Sequence, residues 1–211
     1  MSEVKRKFAT ILATDCVSFS KHMAEDEEAT LSSLNSCRAI IDDYIEQHGG
    51  RIFHTAGDSV LAEFASPIET VNCAINFQDR IYERNETLSS NGNEKSLLWR
   101  VGVHCDEVIL ENENVYGNGV NIAARLEAQC SPGQILVSRA INEQVVSRIQ
   151  AISQAAGKKK LKNISDEFEV FSICSEKTTN LGAPPKPTQT QRETKAQKPI
   201  IATLPFKNLN A

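Results

Sequence analysis

No run of eighteen or so apolar residues occurs anywhere in this chain, so no membrane-spanning helix is expected. The six cysteines, Cys16, Cys37, Cys73, Cys105, Cys130 and Cys174, never fall into a Cys-x-x-Cys pair. That excludes the usual zinc or disulfide spacing and favours reduced thiols in the cytoplasm. Positive charge is also short: 23 Lys and Arg against 27 Asp and Glu leave a formal charge of −4. Broad nucleic-acid affinity is disfavoured, although an anionic nucleotide is not, because a bound metal can supply local positive charge. The opening residues Met1 to Lys7 are polar and lead straight into a strand, unlike a secretory signal. What is present is ordinary globular composition over 211 residues, which fits one domain plus tails.

Apolar spacing organises the chain. Phe8 to Cys16 reads as a strand, Ser18 to Met23 as a turn into a helix, and Glu25 to His48 as a helix ended by Gly49-Gly50. Leu31, Leu34, Ile41 and Ile45 lie at helical spacing there, and acidic residues crowd the positive end. Arg51 to His54 and Ser59 to Phe64 read as two strands joined across Ala56-Gly57-Asp58, with Asp58 at the hairpin tip. Pro67 opens a second helix with Ile68, Val71, Ile75 and Tyr82 on one side, and Thr87 to Lys95 reads as a surface loop. Strands follow at Leu97 to His104 and Val108 to Leu110, then a helix from Val120 to Gln129 stopped by Ser131-Pro132-Gly133. Gln134 to Val137, Arg139 to Arg148 and Phe168 to Ile173 read as strand, helix and closing strand, an α+β alternation. From Ser175 to Lys198 the composition turns to Pro, Thr, Gln and Lys, a solvated linker, before an apolar stretch from Pro199 to Phe206.

Two carboxylates on strand-like segments, Asp15 and Asp58, can hold hard divalent cations, which prefer oxygen ligands. Downstream, Asn121 and Arg125 lie four apart and project from one helix face. Alone, Asp58 beside Gly57 is a turn residue and Arg125 a solvated helix position. As an ordered set they fit phosphoryl chemistry, with metals on the phosphates and an arginine on the developing charge.

These residues resemble the class III nucleotide cyclases from about Lys7 to Ile173. Phe8 through Val17 is similar to the family's first strand, ending in its first metal aspartate. His48-Gly49-Gly50-Arg51-Ile52 and Thr55-Ala56-Gly57-Asp58 are similar to the hairpin that carries the second. Tyr116-Gly117-Asn118-Gly119-Val120-Asn121, continuing to Arg125-Leu126-Glu127, is similar to the transition-state segment. The resemblance implies a ferredoxin-like α+β sandwich spanning 8–174, after an N-terminal tail at 1–7. It implies that 199–211, beyond the linker at 175–198, is the start of a further α/β region. It also implies a head-to-tail homodimer, with metal aspartates from one chain and Asn121, Arg125 and the base-reading pair chiefly from the other.

The implied reaction joins the ribose 3′-oxygen of a nucleoside triphosphate to its α-phosphorus and expels pyrophosphate. Asp15, the Cys16 carbonyl and Asp58 would hold two Mg2+ or Mn2+ ions. Arg125 would contact the phosphate, Asn121 would orient the ribose, and Lys162 would bind phosphate unless the run Lys158-Lys159-Lys160 is simply a basic loop. At the positions where adenylate cyclases of the family carry a base-reading lysine and aspartate, this chain has His54 and Asn114. Each can donate and accept, so the pair can still read adenine; it is not the glutamate-and-cysteine pair of guanylate cyclases. His54 is equally an ordinary strand residue. Asp106 stands where relatives carry glycine, and Asp tolerates a left-handed backbone. His104 and Cys105 read first as core packing. The expected activity is ATP to cyclic AMP. A catalytically silent domain that dimerises and binds nucleotide is the alternative, and a guanylate cyclase the third.

Overall fold

The computed structural model describes residues 5–88, 94–162 and 167–179. Both long helices begin on a side-chain cap. In α2 (Glu27–Gln47) the Asp26 carboxylate accepts from the Ala29 N–H at 3.1 Å. In α3 (Pro67–Thr87) Ser66 accepts from the Glu69 N–H at 3.3 Å, and Pro67 lies in the first turn, where its missing N–H costs nothing. Gly49, at φ 70°, turns the chain out of α2, and the Gly50 N–H returns to the Ile45 carbonyl at 2.8 Å. A short α1 (Phe19–Glu25) precedes α2.

The strands are β1 (Lys5–Cys16), β2 (Arg51–Ala56), β3 (Ser59–Phe64), β4 (Trp99–Glu111), β5 (Asn114–Tyr116), β6 (Ile135–Ser138), β7 (Ile152–Lys160) and β8 (Glu167–Cys174). They form one sheet in the order β2-β3-β1-β4-β6-β8-β7, with β5 paired to β4. Among the described residues only β4 and β6 run parallel. Strands β1 to β4, with α2 and α3 as their crossovers, form the ferredoxin-like β-α-β-β-α-β unit with order 4-1-3-2. The expected α+β class is therefore the observed one.

Alternation along the strands splits the core in two. Leu12, Val60, Ala62, Val101 and Val103 meet Cys37, Ile41 and Ile45 of α2, Phe77 and Ile81 of α3, and Ile141 and Val145 of α5 (Arg139–Val145). On the other face, Ile11, Ala13 and Val108 meet Ala123 of α4 (Asn118–Ala128), while Ile122 and Leu126 pack on Leu136 and Val170. Gly102 permits that second layer: a Cβ there would lie 2.2 Å from the Ala123 carbonyl oxygen and 2.3 Å from the Glu127 nitrogen. All six cysteines are free and buried, and no helix among the described residues is long and apolar enough to cross a membrane.

Several expectations need correction. Lys5 to Lys7 belong to β1, paired with Leu110, Ile109 and Val108, so the expected tail at 1–7 is shorter; residues 1–4 lie outside the described residues. Strand β4 runs unbroken through Asp106, which is extended and not left-handed. Its side chain finds room because Gly119 has none: a Cβ on Gly119 would approach the Asp106 Cβ to 2.6 Å. Leu31 is 40% exposed, and Cys37 takes the buried position instead. Strand β7 had no apolar alternation to announce it. The linker expected from Ser175 begins later, because Ser175 and Thr178 are buried. The Ser175 hydroxyl donates to Asp79 and Lys177 pairs with Glu83, both on α3. The remaining linker and the apolar stretch, 180–211, lie outside the described residues.

Gly102→Ala is expected to lower stability by about 1–3 kcal/mol, because helix backbone stands in the way of the new methyl. A urea titration of both proteins measures the shift.

Candidate active site

Register brings the two sequence-predicted carboxylates together. Thr14 pairs with Val60, so Asp15 at the end of β1 comes beside the β2–β3 hairpin that carries Asp58. Ser59 donates its hydroxyl to Asp15 Oδ1 at 2.7 Å, and the Cys16 N–H donates to Asp58 Oδ2 at 3.2 Å. Burial, and then the charge of Asp15, push the Asp58 carboxyl above its ordinary value. A divalent cation between two such groups would reverse that balance. Among the described residues no three or more His, Cys, Asp or Glu side chains are placed to hold a metal ion together. The protein thus offers two carboxylates, and main-chain oxygen, water or phosphate must complete any coordination. That donor set suits Mg2+ or Mn2+, which keep waters and share substrate phosphates. The Cys16 thiol is no rival ligand: burial and the Asp58 charge raise it to about 12.

Two charged residues that the sequence reading missed complete this corner. In the β1–β4 ladder Arg100 lies directly opposite Asp15, and its Nη2 donates to Asp15 Oδ2 at 3.0 Å. On the other side, Arg100 Nε lies 3.1 Å from Glu127 Oε1 of α4, without hydrogen-bond alignment, so the contact is charge against charge. Burial raises the Glu127 carboxyl to about 7; Arg100 opposes the rise, and Asp15 and Asp58 add to it. Only the position of Glu127, two residues after Arg125 in the recognised segment, hinted at a role.

The predicted base-reading residues lie apart: His54 is opposite Leu61, in the sheet row of Ala13 and two residues from Asp15, whereas Asn114 pairs with Glu111 at the far end of β4. Ile52 pairs with Ala62 but His54 with Leu61, so one extra residue, Phe53, forms a β-bulge. The bulge puts Phe53 and His54 on the same side of the strand, facing the α4 layer, where strict alternation would send His54 into the α2–α3 core. His54 is exposed and Asn114 half-buried. The turn before Asn114 holds Asn112 and Glu113 at φ 48° and 67°, as a two-residue hairpin requires. Arg51 braces it, donating from Nη1 to the Glu113 carbonyl at 2.6 Å and from Nε to Glu63 at 2.7 Å. Strands β2 and β5 are thereby held side by side.

Asn121 is exposed and Arg125 half-exposed, and among the described residues neither side chain has a hydrogen bond or ion pair. Arg125 and Glu127 are two positions apart, so they point about 200° from one another around α4. Glu127 faces the sheet and Asp15; Arg125 faces away. Within one chain Asn121 and Arg125 therefore point away from the Asp15–Asp58 pair. Lys162 is exposed in the turn after β7, fixed in place by buried Leu161. Its neighbours Lys158, Lys159 and Lys160 belong to β7, and Asn163 and Ile164 of its motif lie outside the described residues. His104 donates or accepts at 2.8 Å with Ser138 and is buried, as core packing requires.

A ferredoxin-like core with a carboxylate pair at the end of its central strand and an Asn–Arg helix on the facing layer defines a nucleotide cyclase catalytic domain. The chain belongs to the adenylate and guanylate cyclase catalytic domain family, which it matches over residues 3–174. It is 32% identical over 212 residues to "Putative adenylate cyclase 3" of Rhizobium meliloti (strain 1021), covering 98% of this chain and 35% of that protein. A solved adenylate/guanylate cyclase/hydrolase from Silicibacter pomeroyi superposes with TM-score 0.75 at 30% identity, over 82% of this chain and all 100% of that one. The adenylyl cyclase CyaB of P. aeruginosa shares the fold at TM-score 0.70 and 20% identity, over 82% and 96% of the two chains.

Because the Glu127 carboxyl is raised from 4.5 to about 7, its contribution to stability is complete below pH 4.5 and is lost as pH rises through 7. Metal-free protein is expected to lose on the order of 2–3 kcal/mol of stability across that window from this group. Glu127→Gln should flatten the loss, as thermal unfolding at a series of pH values would read.

Proposed function

We propose that this domain converts ATP into 3′,5′-cyclic AMP and pyrophosphate. The observation that carries the reading is the meeting of Asp15 and Asp58 at one end of the sheet, linked through Ser59 and the Cys16 N–H. The Asp15 and Asp58 carboxylates, with the Cys16 carbonyl, would hold two Mg2+ or Mn2+ ions. When bound, those ions make the ribose 3′-hydroxyl easier to deprotonate and offset charge on the phosphates. Arg125 presents its fork of donors to the α-phosphate as negative charge builds there. Asn121 holds the ribose so that its 3′-oxygen stands in line with the leaving pyrophosphate. Lys162 adds a cation for the phosphates. The bond formed is 3′-oxygen to α-phosphorus; the bonds broken are the 3′-O–H, whose proton passes to water, and that from the α-phosphorus to the bridging oxygen, which leaves with the pyrophosphate.

His54 and Asn114 are the base-reading pair, each able to donate and accept at the adenine edge. Two half-sites on opposite sides of α4 support a head-to-tail homodimer in which each chain completes the other. A second reading, a silent domain that dimerises and binds nucleotide, is favoured by the same His54 and Asn114, which replace the lysine and aspartate of the adenylate cyclases this family resembles. Guanylate cyclase activity is the third.

Purified protein given ATP or GTP with Mg2+ and then Mn2+ is expected to yield cyclic AMP and to lose that yield, at least a hundredfold (about 2.7 kcal/mol), in Asp15→Ala. Absence of any cyclic product from a verified dimer would instead establish the silent reading. Specific activity is further expected to fall on dilution as dimers dissociate. Unchanged activity in protein shown by ultracentrifugation to be monomeric contradicts the shared site.

A further inference from the structure

We propose that Arg100 and Glu127 form a charge-neutral brace that orients Asp15 for a divalent cation. The inference rests on the metal-binding reading above and assigns work to two residues outside the carboxylate pair. Asp15 has each oxygen held by a separate donor: Ser59 on Oδ1 at 2.7 Å and Arg100 on Oδ2 at 3.0 Å. Two donors at the two oxygens fix the plane of a carboxylate, and each oxygen keeps a further lone pair for a metal. Partners of this kind typically matter ten- to a hundredfold in metal affinity.

A guanidinium beside a cation site carries a penalty, because its own charge repels the cation. Glu127 removes it. Its carboxylate stands 3.1 Å from Arg100 Nε, and the missing hydrogen-bond alignment leaves charge cancellation as what the contact provides. Burying a carboxylate to 9% exposure is unfavourable in itself. Replacing a buried ion pair with uncharged groups is often neutral or stabilising, so fold stability alone does not account for the pair. The backbone is arranged for it as well. Bare Gly102 lets α4 approach until Glu127 lies beneath Arg100, two residues along the same strand. Lysine at position 100 would present a single ammonium and could not span Asp15 and Glu127 together. Arg100 and Glu127 are positioning residues: they act on the metal through Asp15.

The test is Mn2+ binding, titrated by electron paramagnetic resonance on the full chain without nucleotide at about pH 8.5, where Glu127 is ionised. The double variant Arg100→Met/Glu127→Gln removes one positive and one negative charge, so a change in affinity reports orientation and not net charge. It is expected to bind Mn2+ about tenfold or more weakly while unfolding at or above the wild-type temperature. Glu127→Gln alone keeps the guanidinium on Asp15 but leaves its charge uncancelled, and is expected to weaken binding a few-fold. Asp15→Asn serves as the reference for loss of the site. If Asp15→Asn abolishes binding while the double variant matches wild type within about twofold, the brace is overturned and the metal reading stands. If Asp15→Asn binds as wild type does, both fall.

Discussion

Strand β1 pairs with β4 along its whole length of 12 residues, from Lys5 opposite Leu110 to Cys16 opposite Trp99, and the other parts of the domain are placed by that ladder. It makes β1 central, flanked by β3 on its other edge. It sends Leu12 and Cys16 toward α2 and α3, and Ile11, Ala13 and Asp15 toward α4. A slip of one residue would reverse every one of those assignments. Asp15 would then enter the apolar layer, away from Arg100. Chemistry at this corner is thus inherited from apolar pairing tens of ångströms long, and the charged groups ride on it.

The two faces of the sheet do different work. The α2–α3–α5 face is a continuous apolar core, with Trp99, Phe77, Ile41 and Ile45 fully buried. The α4 face is thinner and carries the polar groups: the carboxylate pair, the Arg100–Glu127 contact, His54 on its bulge, and Asn121 and Arg125 turned outward. Separation of this kind leaves Asn121 and Arg125 without side-chain partners among the described residues, while stability is supplied from the opposite layer.

The sequence made legible whatever was encoded locally. β1 is a near-continuous apolar run ending in an aspartate, α2 and α3 have helical spacing with capped starts, and Gly57-Asp58 marks a turn. These signals located Asp15, Asp58, Asn121 and Arg125. Signals that depend on pairing were invisible. Arg100 is 85 residues from Asp15, and nothing in its own neighbourhood announces the meeting. Strand β4 read as two pieces because Cys105-Asp106-Glu107 interrupts its apolar pattern, and only Gly119 across the layer explains why Asp106 fits. β7 is an edge strand whose lysines suppress alternation and discourage pairing with other chains. Ser175 to Thr179 read as solvated because they are polar, yet their polar groups engage Asp79 and Glu83 of α3.

The extra residue in β2 makes chain length, and not only residue identity, a determinant of what faces the α4 layer. Between Arg51, tied to Glu63, and Ala56, paired with Ser59, six residues span a stretch that five would cover in regular pleat. Exchange of side chain 54 alters the chemistry displayed there and leaves the backbone path alone. Loss of Thr55 would straighten the strand and set position 54 opposite Val60, toward the α2–α3 core, whereas loss of Phe53 would straighten it with His54 still opposite Leu61. Divergence at this position can therefore proceed by point substitution, while the outcome of a one-residue deletion depends on which side of position 54 it falls.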